Sequence, residues 1–333
     1  MLEDTPGIHH VTGIVGDAQP NLDFYAGVLG LRLVKRTVNH EDVLRHHLYY
    51  GNGDASLGSL LTSFPYPGDP PGRLGKPQVA AVGFVVPDDS LDYWADRLAA
   101  HGIEHRREER FDERVLRFED PDGTRVELVT GESSLDPWTE GSVTVESAIR
   151  GIHGVTTLPA NPYATASTLE TLGFDLVGEA AEPADEDGSD GDGIAGDERG
   201  TRVRYRASGE AANIVDVLDR DAPYGREGPG TLHHVAVRVG EEADLFEWHD
   251  LFRERDYAVS RVRDRYYYRS IYVRGPGGIL FELATEGPGL TVDEPVEALG
   301  SSLVLPDWAE EDRGMIESQL PAIDPPRPGD DRL

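Results

Sequence analysis

The chain has 333 residues and no cysteine, which excludes disulfide bonds and thiolate metal sites. Lysine and arginine total 31 against 62 aspartates and glutamates, giving a formal net charge of -31 at pH 7. A charge of this sign disfavours binding to nucleic acids and to anionic membranes. The sequence contains neither an apolar run of about 20 residues nor a signal-peptide pattern at its start. We therefore expect a cytoplasmic protein without a membrane span.

The acidic residues are spread along the whole chain, and no basic patch balances them. A cationic partner would be one explanation of this excess. The even spread favours adaptation to high salt, because dense counterions screen the repulsion between surface carboxylates. The charge thus predicts a halophilic protein and says little about its reaction.

Four segments repeat one order of elements, namely a short alternating strand, a helix and further strands. These modules begin near Ile8, Val79, Ile152 and Leu232. Modules one and two occupy residues 1–135, and modules three and four occupy residues 148–290. Apolar residues of the second module predict an amphipathic helix with the period of 3.6 residues, in a stripe formed by Leu91, Trp94, Ala95 and Leu98.

Two segments fall outside this repeat. Residues 179–200 are rich in Asp, Gly and Ala and predict a solvated surface insertion, because they offer no apolar bulk for a core. They also lack the terminal glutamate and flanking helices of an EF-hand calcium loop. Residues 291–333 form a C-terminal tail, which we expect to lie over the surface with Trp308 and Ile316 as anchors.

The first strands of modules one and four share a His-His pair, in GIHHVTGIV and TLHHVAVRV. Strand alternation places His234 on one face and the neighbouring valines on the other, where a helix packs. The same alternation assigns His10 to the corresponding face of module one. The equivalent position is Gly154 in module three and about Ala81 in module two. Only modules one and four therefore retain this histidine.

The closing strands supply a carboxylate to the same faces. Glu282 occupies this position in module four, Glu127 in module two and Asp216 in module three, while module one has Thr62 there. Two histidines and one carboxylate can consequently come together only from His10, His234 and Glu282. Either histidine alone would be interpreted as a core residue. The three together match the set of two histidines and one carboxylate that binds Fe(II) in non-haem oxygenases and leaves positions open for substrate and O2.

The segments GIHHVT, NLDFYAGVLGLRLVKRT, HHLYYG, LHHVAV and YVRGPGGILFE resemble the vicinal-oxygen-chelate superfamily of glyoxalases, bleomycin-resistance proteins and extradiol dioxygenases. They are most similar to its ring-cleaving hydroquinone dioxygenases. With the repeat, the resemblance implies an α+β fold of four tandem βαβββ modules in two barrel-like halves, modules one with four and two with three. It implies Fe(II), or else Mn(II), bound by His10, His234 and Glu282. The expected partners are O2 and a small aromatic substrate, a hydroquinone-type or catechol-type ring.

The segment DRYYYRSIYVRGPGG resembles the part of the family that faces the substrate. The match implies that Arg265 holds a phenolate or carboxylate and that Tyr272 hydrogen-bonds a developing oxyanion. A surface charge and an ordinary strand aromatic are the alternative interpretations of these two residues.

The remaining polar candidates are weaker. His9 and His233 adjoin the ligands and could act as acid–base groups or support the ligands, although strand alternation points them away from the metal. His46 and His47 have no partner in the repeat, which favours a role in the strand. Glu127 and Asp216 could form an acidic pair between modules two and three, where we expect no metal because no histidine stands beside them.

Two other functions remain open at this point. A glyoxalase-type isomerase would use Zn or Ni and commonly two carboxylates, and a bleomycin-resistance-like binding protein would lack metal ligands. The sequence also leaves open a homo-oligomer.

Overall fold

The structure, a computed structural model, describes residues 2–182 and 200–325. It has the mixed α+β class that the sequence predicts, with far more strand than helix. The strands are β1 (Ile8–Val15), β2 (Arg32–Asn39), β3 (Asp42–Gly51), β4 (Leu60–Pro65), β5 (Gln78–Val86), β6 (His105–Arg110), β7 (Glu113–Glu119), β8 (Arg125–Thr130), β9 (Ile152–Leu158), β10 (Asp175–Glu182), β11 (Gly200–Arg206), β12 (Ile214–Asp219), β13 (Thr231–Val239), β14 (Ala258–Val259), β15 (Arg263–Asp264), β16 (Arg269–Arg274) and β17 (Leu280–Thr285).

The helices are short, and all of those described except the last lie between the first and second strands of a module. They are α1 (Ala18–Leu22), continued by a π-helical segment (Asp23–Val28), α2 (Leu91–Ala100), α3 (Pro162–Thr171), α4 (Glu242–Glu254) and, in the tail, α5 (Arg313–Gln319), with 3₁₀ segments at Asp88–Ser90, Val296–Ala298 and Asp307–Asp312. Within the described ranges, no helix is both long and apolar enough to cross a membrane.

Helix α2 shows how the sequence pattern determines packing. The stripe that the 3.6-residue period predicts is buried along its whole length, and Trp94 is completely inaccessible. The Trp94 indole N–H donates to the carbonyl of Ser147 at 2.9 Å, so the buried ring leaves no polar atom without a partner. Burying an apolar side chain of this size contributes roughly 1.5–3 kcal/mol.

Modules one and four are joined through their first strands. Strand β1 pairs antiparallel with β13 and parallel with β4, and β13 pairs parallel with β17. These pairings build one row of strands in the order β2-β3-β4-β1-β13-β17-β16, with β14 and β15 both on the outer edge of β16. The first and last modules are therefore neighbours in space.

Modules two and three form a second row, in the order β6-β7-β8-β5-β9-β12-β11-β10. The bridge between Leu232 and Val79 connects the two rows into one sheet of 17 described strands. Among these strands, the outer members of a row do not pair with each other, so the hydrogen bonding leaves the sheet open.

The first strand of every module contains a β-bulge at the same place. His9 is the extra residue on β1, because Ile8 and His10 face the consecutive residues Val237 and Ala236. His233 is the extra residue on β13, and the second row repeats the arrangement at Ala80 and His153. A bulge rotates the side chains that flank it relative to regular alternation.

The C-terminal tail packs against module one more closely than the predicted tail lying over the surface would. Ile316 is fully buried with Val38, as expected of an anchor. Trp308 is 60% exposed and only meets the His40 ring edge-on, so its predicted role as an anchor is wrong. The stronger anchor is the buried Lys35, whose Nζ lies 2.6 Å from both Asp293 and Glu294.

The predicted insertion is shorter than residues 179–200. Its first residues belong to β10, and Gly200 begins β11. The prediction of a solvated segment is wrong for Glu182, which is buried and binds Arg202 at 2.7 Å. Residues 183–199 lie outside the described part of the chain.

Candidate metal centre

Three adjacent strands bring His10, His234 and Glu282 together. On β13, Ala236 stands directly between His10 of β1 and Glu282 of β17, and its small side chain leaves space for both. The Nε2 atoms of His10 and His234 lie 3.1 Å and 2.8 Å from Oε2 of Glu282. One candidate ligand atom from each residue lies within 4.8 Å of the other two, and all three residues are buried.

Three polar atoms of this cluster make no hydrogen bond within the described part of the chain although they are buried. Nε2 of His234 and both carboxylate oxygens of Glu282 are buried without a hydrogen bond to any described residue. Native proteins rarely leave such atoms unsatisfied, because an unpaired buried charge is costly. A divalent cation at the point where the three residues converge would satisfy all of these atoms, so the residues fit a metal.

The protonation states also suit ligands. Burial alone would raise the pKa of Glu282, but the imidazoles of His10 and His234 hold that pKa well below its usual value. Burial lowers the pKa of His234, and the neighbouring Glu282 only partly opposes it. The site therefore presents an ionised carboxylate and a neutral imidazole, which are the forms that bind metals.

His9 and His233 do not point away from the centre, contrary to the alternation rule. The two bulges turn them towards their neighbours, so that Nδ1 of His9 lies 2.9 Å from Nδ1 of His10. The corresponding distance between His233 and His234 is 2.7 Å. Burial and the adjacent His10 lower the pKa of His9 to about 3, and burial and His234 lower the pKa of His233 to about 4. Both are neutral rings that can accept a hydrogen bond from Nδ1–H of the adjacent His10 or His234.

Arg265 and Tyr272 lie on the open side of the cluster. Tyr272 pairs with Glu282 across the sheet, and its ring centroid is 5.4 Å from that of His234. Nη2 of Arg265 donates to the Tyr272 hydroxyl at 3.1 Å and also approaches Glu41 at 3.3 Å. Arg265 is thus largely buried beside the cavity, and it also bonds to Glu41, which is exposed.

A small cavity of about 20 Å³ adjoins these groups, with room for about one water molecule. Its lining residues are Thr12, Asn39, His40, His47, Tyr49, Phe64, His234, Arg265, Tyr268 and Tyr272. Of these residues, the sequence indicated only His234, Arg265 and Tyr272 for the site, and two of the others are notable. Tyr268 lies 5.3 Å from the His10 ring, and its place in the motif DRYYYRS could have identified it. His47 was assigned to the strand because it has no repeat partner.

The equivalent place in the second row is occupied by arginines. Glu127 pairs with Arg110, while Asp216 accepts hydrogen bonds from Arg202 at 3.0 Å and from Arg204 at 2.8 Å and 3.0 Å. A side chain at Gly154 has no room, because a Cβ atom would lie 2.4 Å from the carbonyl oxygen of Ile214. Each carboxylate thus has its own cationic partner, a feature that the sequence interpretation did not foresee.

Comparison with known proteins identifies the relatives of this chain. Residues 7–128 and 169–283 match the Glyoxalase/Bleomycin resistance protein/Dioxygenase superfamily. MhqO of Bacillus subtilis (strain 168), named as a ring-cleaving dioxygenase, is 40% identical over 322 residues, covering 96% of this chain and 97% of MhqO. The chlorohydroquinone/hydroquinone 1,2-dioxygenase of Sphingobium indicum is 33% identical over 316 residues, covering 91% of this chain and 92% of that protein.

A solved structure agrees with these sequence matches. The crystal structure of a Bacillus subtilis subsp. subtilis str. 168 protein, named as a dioxygenase, superimposes with a TM-score of 0.88 at 39% identity. The match covers 98% of this chain and 99% of that one. The chain therefore belongs to the Glyoxalase/Bleomycin resistance protein/Dioxygenase superfamily.

Proposed function

We propose that the protein is an Fe(II)-dependent dioxygenase that opens a hydroquinone-type aromatic ring with O2. The observation that carries the proposal is the buried cluster of His10, His234 and Glu282, in which Nε2 of His234 and both carboxylate oxygens of Glu282 make no hydrogen bond to the residues that the structure describes. Two neutral imidazoles and one carboxylate suit Fe(II), with Mn(II) as the alternative metal. The hydroquinone dioxygenase among the relatives supports the substrate class, with a catechol as the second candidate.

When bound, the metal would supply a Lewis-acidic centre with open positions for the substrate and O2. The side chains of this chain would perform the remaining work. Arg265 and Tyr272, which lie together at the cavity, would hold the ionised hydroxyl of the substrate and take up charge that develops on it. His9 and His233 would each accept a hydrogen bond from a ligand imidazole and so keep Nε2 of that ligand free for the metal.

We also propose that the chain consists of four βαβββ modules and that the sheet divides into two functional halves of two modules each. Modules one and four would form the catalytic half, because their first strands carry both histidines. Modules two and three would form a supporting half, in which arginines stand where the metal would otherwise lie. The ranges 1–135 and 148–290 are the pairs of modules that follow each other along the chain. Each proposed half combines one module from the first range with one module from the second.

The donor set separates this proposal from the other functions considered. A glyoxalase-type isomerase commonly uses two carboxylates, whereas this cluster contains one. A binding protein without a metal has no need for three buried ligand atoms that lack partners, since burying them costs free energy.

The test is metal analysis of protein purified without oxygen, followed by O2 uptake with a panel of hydroquinones and catechols. We expect one iron or manganese per chain and O2 consumption that is stoichiometric with ring opening. Glu282→Gln, which keeps the shape of the side chain, should lose both. A protein that contains zinc and consumes no O2 with any member of the panel would refute the proposal.

A further inference from the structure

His47 is a buried histidine that the proposed mechanism does not use. It lies on β3 and lines the same cavity as His234, Arg265 and Tyr272. Strand β3 is separated from β13 by β4 and β1, which corresponds to three strand spacings, or roughly 14 Å along the curved sheet. His47 thus lines the cavity from a different part of the sheet than His234 and does not belong to the cluster of His10, His234 and Glu282.

The His47 ring is held in a fixed position. Its centroid lies 4.2 Å from the centroids of both Tyr49 and Phe64, which flank it. Nε2 of His47 lies 3.1 Å from Oγ1 of Thr62, and that hydroxyl lies 2.8 Å from Oγ1 of Thr12. The hydrogen bonds of the described residues involve Nε2 of this ring and leave Nδ1 available. A ring fixed in this way can recognise a ligand without loss of side-chain entropy.

His47 is also neutral. Burial lowers its pKa well below the usual value, and the nearby His40, His10 and Arg265 lower it further. A neutral imidazole offers a single donor or acceptor at Nδ1, according to its tautomer. A hydroxyl group both donates and accepts, so it matches either tautomer, whereas an anion or a cation would find no opposite charge on this ring.

The module repeat explains why modules one and four supply different groups beside the cavity. Thr62 of module one pairs with Tyr49 as Glu282 of module four pairs with Tyr272. Module four thus supplies the carboxylate beside His234, which lines the cavity, and module one supplies the hydroxyl beside His47, which also lines it. His234 of the candidate metal cluster and the uncharged His47 therefore border the same cavity.

We propose that His47 binds the hydroxyl on the far side of the substrate ring and makes the site selective for para-dihydroxylated rings over catechols. A hydroquinone carries one hydroxyl at each end of the ring, so a ring bound at the candidate metal cluster would direct its second hydroxyl towards His47. Such a ring is larger than the one water molecule that the cavity holds, and the lining side chains must move apart to admit it. A catechol has both hydroxyls at the metal end and would leave Nδ1 of His47 unpaired. This inference rests on the proposed function, because it requires the other end of the ring to lie at the metal.

The experiment measures binding by calorimetry in Fe(II)-loaded protein without oxygen, so that no turnover occurs. The two probes are hydroquinone and phenol, which differ only in the far hydroxyl. One net hydrogen bond of about 0.5–1.5 kcal/mol corresponds to a preference for hydroquinone of about 2- to 12-fold. In His47→Phe, which keeps an aromatic ring between Tyr49 and Phe64, the two probes should bind equally. His47→Gln should restore part of the preference.

His46→Phe is the matched control. His46 is the buried neighbour of His47, but its Nε2 bonds to the carbonyl of Pro321 and not to the cavity. This variant should keep the preference for hydroquinone, and thermal melting of each variant would identify any that unfolds. A His47→Phe protein that is folded and retains the full preference would overturn the role of His47 while leaving the proposed function intact. If the unaltered protein bound neither probe, the proposed function itself would fail.

Discussion

In the second row of strands, Asp216 is bonded to Arg202 and Arg204, and this arrangement allows a quantitative prediction for Asp216→Asn. Asp216 is 3% exposed and accepts three hydrogen bonds from two buried guanidinium groups. The substitution removes the charge and turns an NH2 group towards a cation. Breaking a buried ion pair typically costs 3–5 kcal/mol. Arg202 retains Glu182 and Arg204 retains Glu113, so we expect the lower end of that range, about 3 kcal/mol.

The assay is thermal unfolding followed by circular dichroism. At about 2–4 °C per kcal/mol for a large domain, the expected fall in Tm is roughly 6–12 °C. Asp219→Asn is the control, because Asp219 lies on the same strand but is exposed, and its Tm should change by less than about 2 °C. Iron content per chain should be unchanged in both variants, since Asp216 belongs to the other row of strands.

The pH dependence of this difference provides a second check. Burial would raise the pKa of Asp216, but hydrogen bonds and charge from Arg204 and Arg202 hold that pKa below its usual value. A carboxyl with a depressed pKa in the folded state stabilises the fold above the unfolded-state pKa and loses this effect as pH falls through the folded-state pKa. The difference in Tm should therefore be constant near neutral pH and shrink below about pH 4. An Asp216→Asn protein with an unaltered Tm would refute the reasoning.

Four further predictions concern other parts of the molecule. His10→Ala and His234→Ala should each lose bound iron to the same extent, by more than about 10–100-fold in affinity, measured as metal per folded chain; iron retained by His10→Ala would refute the shared site. Burial raises the pKa of Asp120 to about 6, so this carboxyl destabilises the fold as pH rises through that value; the Tm of Asp120→Asn should exceed that of the unaltered protein at pH 8 and converge with it below about pH 4. Gly154→Ala should lower stability by about 1–3 kcal/mol in denaturant titrations, because its Cβ would meet the backbone of Ile214, and an unchanged midpoint would contradict this packing. The net charge of -31 should make Tm fall as salt is reduced from molar to about 0.01 M, where the Debye length reaches ~30 Å; a constant Tm would refute the halophilic interpretation.

The sequence was sufficient to locate those parts of the candidate site that lie in strands with regular alternation of side chains. The doublets at His10 and His234 and the alternation around Glu282 identified a cluster that the structure brings together across three strands. The buried stripe of α2 that includes Trp94 could be predicted equally well, because burial of one helix face follows directly from the 3.6-residue period.

The features that the sequence could not provide depend on irregular or distant contacts. A bulge shifts the register by one residue, so alternation assigned His9 and His233 to the wrong side. Lys35 resembles any exposed lysine until the tail brings Asp293 beside it from 258 positions away. His47 has no counterpart in the repeat, and only the folded chain shows that it lines the same cavity as His234.

The pairing of β1 with β13 has a consequence for how the protein is made. The strand that begins at Ile8 must wait for the strand that begins at Thr231 to leave the ribosome. At about 5–20 residues per second, this delay lasts roughly 10–45 s, and during it β1 has an unpaired edge beside β4. A nascent or truncated chain that ends before Glu282 cannot complete the three-residue cluster. On the proposed function, metal loading would follow synthesis of nearly the whole chain, and a shortened product would lack at least one of the three proposed ligands.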